Sequence, residues 1–304
     1  MLNEKEWFIE APWGRICVVA WGHCYNPPVL LCHGVNDSMA TFRPLIKLLP
    51  KNFYYIGLEF PGNGKSDPFP PGLLFNFYDL VYSIEVVVKH FRWKTFTLLA
   101  HSAGANVGML YDFCFPDKMT RAVLLDPITP VVPPAKFAKW YKTTYQALFD
   151  DFEFYNMPQE KRPTYTRKEA LNKLMKARTI PEAMAEDALE RISETVHHGL
   201  VRFTYDPRYK IVAQAPFSPD HLKELCLKSK AQRLVISLDE SVKNGRYAKT
   251  PFLLDESLYR NNSYRVRTVA GHHNIHIGHP ERVAAYVAQF LLNGPEGLDS
   301  KAKL

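Results

Sequence analysis

Residues 96–114 read FTLLAHSAGANVGMLYDFC, and this segment is the most informative about the fold. Its first five residues are a largely apolar run of the kind that forms a buried strand, and residues 106–114 have a helix-like pattern. Between them stands Ser102, with the small residues Ala100 and Gly104 two positions away on either side. This context is typical of a nucleophile elbow, a sharp turn that exposes the serine hydroxyl above the sheet, although glycine is more usual where Ala100 stands. Ser102 is therefore predicted as a nucleophile; the simpler alternative is a serine that merely ends a strand.

On both sides of residues 96–114, short apolar runs alternate with helix-like segments. Runs that are apolar on both faces favour central parallel strands covered by helices on each side. This alternation predicts a doubly wound α/β sheet. The strands expected in the first half are residues 16–21, 29–32, 53–58, 96–100 and 122–125, and the helices are residues 39–49 and 77–91.

The pattern breaks after Asp126, where four prolines fall within eight residues. From there to about Pro219 the chain is aromatic and charged, without a buried strand, and it has helical stretches at residues 168–177 and 183–196. Strands are expected again at residues 233–238 and 264–269, before a last amphipathic helix at residues 280–292. We therefore predict a core of residues 1–127 and 220–304, with an inserted helical cap, or lid, of residues 128–219.

A histidine-rich loop after the last expected strand contains the candidate general base. Residues 271–281 read GHHNIHIGHPE. In a hydrolase with a nucleophile elbow the serine comes first in the chain and the histidine last. Spacing from the proline that opens the final helix selects His273, with His272 as a competitor. A zinc site formed by His272, His273, His276 and His279 is the alternative, but no carboxylate accompanies them, so neither a metal nor a cofactor is expected.

The acid that would orient the base stays open at this point. Asp126 directly follows the apolar run of residues 122–125, and Asp239 and Glu240 follow the run of residues 233–238. Each position lies at the end of an expected strand, where a carboxylate can point over the sheet toward a histidine. We favour Asp126 and keep Asp239 and Glu240 as alternatives, because an aspartate after a strand is also a common turn former.

An acyl-transfer site also needs donors for a developing oxyanion. The backbone N–H of Ala103, next to the candidate nucleophile, is one expected donor. The N–H of Val35, after His33-Gly34, is the other. We expect His33 to brace this loop rather than to react.

Composition restricts the class of partner. The formal charge is +7, but the basic residues are scattered without a run of five, which favours a basic enzyme over a nucleic-acid-binding protein. No stretch approaches the roughly 20 apolar residues of a membrane span, and residues 1–12 lack the layout of a secretory signal. The five cysteines form no CxxC pair, and their odd number argues for a reducing compartment.

Together these residues resemble the α/β-hydrolase superfamily from about Ala11 to Leu292. The likeness extends to the serine hydrolase-like protein family through the segments APWG at 11–14, PPVLLCHG at 27–34, FYYI at 53–56, HS at 101–102 and LLD at 124–126. It implies an α/β-hydrolase fold: a mostly parallel eight-stranded sheet, helices on both faces and an inserted helical lid. Haloalkane dehalogenases and epoxide hydrolases are broader relatives that attack with aspartate, so Ser102 argues against their chemistry.

The expected function is therefore hydrolysis of a carboxylic ester or related acyl bond by a serine, histidine and acid triad. The aromatic lid favours a small apolar substrate. A ligand-binding protein without hydrolytic activity is the alternative from another class, since fold does not determine function. Hydrolysis of a C–C bond by the same triad is a third possibility.

The last three residues, Ala302-Lys303-Leu304, are similar to the peroxisomal address Ser-Lys-Leu. The family resemblance implies the same compartment, since many of its members are peroxisomal. We therefore expect recognition by a peroxisomal import receptor, with the cytoplasm as the alternative location.

Overall fold

A computed structural model describes residues 3–72, 74–129, 131–132, 134–211 and 217–299, so Ala302-Lys303-Leu304 lie outside the described residues. Eight strands form one mostly parallel sheet and three short strands form a second, antiparallel sheet. The strands are β1 (Glu4–Ala11), β2 (Gly14–Trp21), β3 (Pro28–Cys32), β4 (Tyr54–Leu58), β5 (Phe96–His101), β6 (Met119–Leu125), β7 (Thr164–Tyr165), β8 (Ser193–Thr195), β9 (Val201–Phe203), β10 (Gln232–Leu238) and β11 (Tyr264–Val269). The main sheet has the order β1-β2-β4-β3-β5-β6-β10-β11, with β1–β2 and β2–β4 antiparallel. The predicted eight-stranded sheet is confirmed.

Helices connect the parallel strands. They are α1 (Arg43–Ile46), α2 (Phe77–Phe91), α3 (Ala103–Cys114), α4 (Phe137–Tyr141), α5 (Ala147–Asp150), α6 (Phe152–Tyr155), α7 (Arg167–Arg178), α8 (Glu182–Ile192), α9 (Pro219–Lys228), α10 (Asp239–Lys243), α11 (Ile275–Gly278) and α12 (Glu281–Asn293). The helix predicted at residues 77–91 is confirmed. The one predicted at residues 39–49 is wrong, because a 3-10 turn, Met39–Phe42, precedes the short α1. Pro44 has no N–H to bond the carbonyl of Ala40, so a continuous α-helix cannot pass through it.

Capping residues determine where two of these helices begin. The Asn76 side chain accepts a hydrogen bond from Tyr78 N at 2.7 Å, and Asp79 accepts one from Asn76 N at 2.7 Å. Thr166 and Glu169 form the same reciprocal arrangement at the start of α7. Such a capping box satisfies backbone donors that the first helical turn leaves without an acceptor.

The hydrophobic core consists of two layers, one on each face of the main sheet. Alternate residues of one strand belong to different layers: Leu30 packs with α2 and α3, and Leu31 packs with α12. Leu98 and Leu99 divide in the same way. The central strands are thus buried on both faces, as their unbroken apolar runs predict. None of the helices in the described ranges has the length and apolar character needed to cross a membrane.

The chain between β6 and β10 carries the helices α4 to α8 and the small sheet β7-β9-β8. The sequence predicts only helices here, and a helix through residue 196. The structure instead ends α8 at Ile192 and continues into β8, which pairs with β9. Strands of two or three residues are too short to show a period of two, which is why the pattern missed them.

A buried ion-pair network joins α8 to the main sheet. Arg191 Nε lies 2.7 Å from Glu59 Oε1, and Arg191 Nη1 lies 2.5 Å from Glu6 Oε2. The side chains of Arg191 and Glu59 are 4% and 0% exposed. Because a buried charge without its partner is costly, this network fixes α8 on the core next to the site described below.

Candidate active site

Ser102 occupies a strained turn between β5 and α3. Its φ and ψ angles are 54° and −117°, which an L-residue rarely adopts. Its N–H donates to Leu125 O at 2.9 Å, and its carbonyl accepts from Asn106 N at 3.3 Å. A Cβ atom on Gly104 would lie 2.5 Å from a backbone oxygen of β3. The close approach of α3 to β3 therefore explains why the residue two positions after Ser102 must be glycine.

Three predicted residues form one hydrogen-bonded chain. His273 Nε2 lies 2.7 Å from Ser102 Oγ, and His273 Nδ1 lies 2.5 Å from Asp126 Oδ2. The three residues follow β5, β6 and β11, whose parallel course brings their carboxyl ends to the same edge of the sheet. Asp126 and Ser102 precede His273 by 147 and 171 positions in the sequence, yet both contact its imidazole ring.

Asp126 is almost completely buried and is held by three side chains. Besides His273, Ser241 Oγ and Tyr247 OH each donate to its carboxylate at 2.6 Å. Burial by itself would raise the pKa of Asp126, but the hydrogen bonds from His273, Ser241 and Tyr247 outweigh burial and lower that pKa. The carboxylate therefore stays ionised and fixes the orientation of the ring of His273.

The alternative acid Asp239 has other partners. Its carboxylate accepts from Gly271 N at 2.9 Å and pairs with Lys243 Nζ at 2.8 Å. Asp239 is the first residue of α10, from which its side chain turns toward the backbone before the histidine loop. Glu240, the third candidate, is exposed. The structure thus brings Asp126 to the ring of His273 and leaves Asp239 as a support of the loop.

The segment after β3 lies against the candidate nucleophile. A Cβ atom on Gly34 would lie 3.3 Å from Ser102 Cβ, so glycine lets this backbone approach closely. The N–H groups of Val35 and Ala103 have no hydrogen-bond acceptor among the described residues. His33 uses both ring nitrogens, one toward Gly34 O at 2.6 Å and one accepting from Phe60 N at 3.1 Å. These bonds give His33 a bracing contact on each side of its ring.

Arg178, at the end of α7, is a residue that sequence reasoning missed. Its Nη1 lies 2.7 Å from Asp37 Oδ1, and its Nη2 donates to Asn36 O at 2.5 Å. Its backbone carbonyl accepts from Asn274 Nδ2 at 2.9 Å. One residue of α7 therefore joins the segment that carries Val35 to the loop that carries His273. No sequence signal marks it, because its partners are remote in the chain.

A cavity of about 480 Å³ opens in front of Ser102 and His273. Its apolar wall contains Leu174 and Ile192 together with the rings of three aromatic residues. The aromatic residues are Tyr165, Phe203 and Tyr205. Because these side chains come from α7, α8 and the small sheet, the chain between β6 and β10 forms much of the wall of the cavity.

A buried histidine cluster lies beneath this cavity. Within the described ranges, Asp37, His101 and His276 each offer one ligand atom within 4.8 Å of the others, a spacing that a metal ion can bridge. His101 Nδ1 and both ring nitrogens of His276 have no hydrogen-bond partner in the described part of the chain. However, Arg178 already pairs with Asp37, and its positive charge opposes a cation there. The four-histidine zinc alternative is also weakened, since His273 contacts Ser102 and Asp126.

Comparisons with known proteins identify the family and the fold. Residues 27–280 match the family model described as alpha/beta hydrolase fold. Serine hydrolase-like protein 2 of Homo sapiens is 30% identical over 93% of this chain and 92% of its own length. Serine hydrolase-like protein of Danio rerio is 28% identical over 94% of this chain and 88% of its own. A hypothetical protein from Pseudomonas aeruginosa PAO1 has a similar structure, with a TM-score of 0.80, 20% identity, and coverage of 96% of this chain and 100% of that one.

Proposed function

The chain belongs to the α/β-hydrolase fold family, and we propose that it is a serine hydrolase that cleaves a carboxylic ester or related acyl bond. The proposed nucleophile is Ser102, with His273 as general base and Asp126 as the orienting acid. The observation that carries the proposal is the hydrogen-bonded chain from Ser102 Oγ through the imidazole to the buried carboxylate. The family establishes the hydrolase class, and the nucleophile and the ester substrate are our inference.

In the acylation step, His273 Nε2 takes the proton of Ser102 Oγ as this oxygen attacks the substrate carbonyl. The new C–O bond gives a tetrahedral intermediate, whose oxyanion accepts hydrogen bonds from the N–H groups of Val35 and Ala103. The C–O bond to the alcohol then breaks, and His273 gives its proton to the departing oxygen. Asp126 accepts the hydrogen bond from His273 Nδ1–H throughout. This bond holds the productive tautomer of His273 and stabilises its imidazolium form.

Deacylation repeats these steps with water as the nucleophile. His273 Nε2 removes a proton from water as the water oxygen attacks the acyl carbon. The second tetrahedral intermediate then collapses, the bond between the acyl carbon and Ser102 Oγ breaks, and His273 gives the proton to Ser102 Oγ. The products are a carboxylic acid and the free enzyme. The aromatic wall of the cavity would hold the apolar part of the substrate during both steps.

Replacing Ser102 tests the proposal directly. We expect Ser102→Ala to lower the kcat for 4-nitrophenyl butyrate by at least about a thousandfold, since no other group replaces the nucleophile. A fluorophosphonate probe should label the wild-type protein and not this variant. Ser257→Ala, which changes an exposed serine, is the matched control and should keep both signals. Folded wild-type protein that neither reacts with the probe nor hydrolyses the ester would favour the ligand-binding alternative.

A further inference from the structure

A second cavity adjoins the cavity at Ser102. A smaller cavity of about 160 Å³ shares Tyr165, Phe203, Tyr205 and Lys210 with the larger one. The side chains of Phe154 and Met157 extend its apolar wall. Lys210 thus lies where the two cavities adjoin.

The charges around this cavity do not cancel. Its cationic side chains are Lys173, Arg178 and Lys210, and its carboxylate is Asp37. Arg178 and Asp37 neutralise each other in a largely buried ion pair, with side chains 10% and 3% exposed. In the described part of the chain, no carboxylate lies within 4 Å of the ammonium group of Lys173 or Lys210. Neither ammonium group is therefore held in a salt bridge within the described ranges.

The nearest acid to Lys173 along α7 is already engaged. Glu169 stands one helical turn before Lys173, but its carboxylate accepts hydrogen bonds from the backbone and hydroxyl of Thr166 at 2.8 and 2.9 Å. The capping box thus takes the side chain that would otherwise form an i, i+4 pair with Lys173. Lys173 keeps its hydrogen-bonding capacity for another acceptor.

Both ammonium groups rest over aromatic rings at the cavity. Lys173 Nζ lies 4.9 Å from the ring centroid of Tyr165, and Lys210 Nζ lies 5.4 Å from that of Phe154. A cation–π contact restrains an ammonium group without using its N–H donors. The aromatic wall thus presents two positive charges with free donors beside the space where an apolar group would lie.

We propose that the substrate of Ser102 is an ester that carries a negatively charged group, which Lys173 and Lys210 bind while the apolar part lies between the aromatic rings. This inference rests on the proposed function. It revises the expectation of a wholly apolar substrate, because two exposed ammonium groups without a salt bridge border the cavity. The chemical class is an anionic ester, with the charge either on the acyl chain or on the alcohol.

A pair of esters of equal length tests the acyl side. Mono-4-nitrophenyl glutarate carries a carboxylate where 4-nitrophenyl pentanoate carries a methyl group, and 3-carboxy-4-nitrophenyl pentanoate tests the alcohol side. The spontaneous hydrolysis rate of each ester is subtracted before the kcat/KM values are compared. We expect at least one charged ester to be preferred over the neutral one by about fivefold, since exposed ion pairs contribute modestly. Raising the salt concentration should reduce the preference.

Matched variants assign the preference to the two lysines. Lys173→Met and Lys210→Met remove the charge but retain an unbranched apolar side chain, and the double variant should lose the preference for the charged ester. Lys94→Met is the control, because Lys94 is exposed and precedes β5, at the edge of the sheet opposite Ser102. Equal preference in the wild type and the double variant would overturn the proposal, as would a wild type that favours the neutral ester over both charged ones.

A binding measurement tests this inference independently of catalysis, and so distinguishes it from the proposed function. Ser102→Ala should bind the preferred charged ester about fivefold more tightly than 4-nitrophenyl pentanoate in calorimetry. If the wild type hydrolyses none of the esters, the proposed function fails, and the ratio of these dissociation constants still decides whether the cavity selects an anion. A ratio of one would overturn the inference whatever the activity.

Discussion

At the scale of single residues, substitution can test which acid completes the triad. We expect Asp126→Asn to lower kcat by roughly a thousandfold or more, because an amide cannot hold the tautomer of His273 that accepts the serine proton. Asp239→Asn is the matched comparison, since it removes the hydrogen-bond acceptor of Gly271 N without touching the imidazole. It should cost less than about tenfold in kcat. Steady-state kinetics on one activated ester measures both variants, and a larger loss in Asp239→Asn would reverse the assignment.

Local pattern predicts the positions of Ser102 and His273 but not the choice of acid. The elbow needs a strand, a turn and a helix in close succession, and the pattern of residues 96–114 predicts all three. The choice between Asp126 and Asp239 depends instead on Ser241 and Tyr247, which are 115 and 121 residues from Asp126 in the chain. A carboxylate can be placed at the end of a strand from sequence, whereas its hydrogen-bond partners depend on tertiary packing.

At the scale of elements, α7 is joined to the candidate oxyanion segment and to the histidine loop through Arg178. We expect Arg178→Met to lower kcat by about tenfold with little change in KM, because loss of its two bonds to residues 36 and 37 would let the N–H of Val35 move. The rate of fluorophosphonate labelling should fall in parallel. These two outcomes would identify Arg178 as a positioning residue that acts through Val35.

Conservative variants distinguish positioning from general stability. Arg178→Lys keeps the charge beside Asp37 but cannot make both bonds in the geometry of a guanidinium, so its kcat should be intermediate. Arg167→Met is the control, because its ion pair with Glu186 joins α7 to α8 on the surface. If KM rather than kcat changed in Arg178→Met, or if labelling were unaffected, Arg178 would be only a structural contact.

Several elements could not be read from the sequence for identifiable reasons. The edge strand β1 begins with three charged residues, and most of its residues are not buried, so it lacks the continuous apolar run of the central strands. In α1 the deciding feature is Pro44 within an otherwise helical pattern. The boundary of the cap at residues 128 and 219 stays a prediction. Patterns thus predict buried, regular elements well and miss edge or very short ones.

At the scale of the whole molecule, the peroxisomal address remains a proposal that a cell experiment can test. A fluorescent protein fused before residue 1 should give punctate fluorescence that overlaps a peroxisomal marker, because Ala302-Lys303-Leu304 would be read as an exposed terminal tripeptide. Deleting these three residues should make the fluorescence diffuse. Fluorescence that is diffuse with and without the tripeptide would favour the cytoplasm.

The stability of the whole fold should depend on pH through its buried histidines. Burial lowers the pKa of His33 and of His101, and lowers that of His276 to about 3. In the unfolded chain these groups have ordinary pKa values near 6.5. Their contribution to stability is therefore complete above about pH 6.5 and declines as the pH falls below it, because the unfolded chain then binds protons that the folded chain does not.

The size of this effect makes it measurable in one series of thermal unfolding curves. A histidine that stays neutral in the folded chain costs up to about 1.4 kcal/mol per pH unit below 6.5, so His276 alone costs up to about 2 kcal/mol by pH 5, a large part of the stability of a typical domain. We expect the Tm to fall markedly between pH 7.5 and 5. The Tm of His276→Gln should fall less over the same interval, since this variant lacks one group that only the unfolded chain protonates. The control is His90→Gln, at an exposed histidine, and its Tm should follow that of the wild type. A Tm that stays level to pH 5, or an equal fall in His276→Gln and wild type, would mean that water or another partner reaches these imidazoles and lets them take up protons in the folded state.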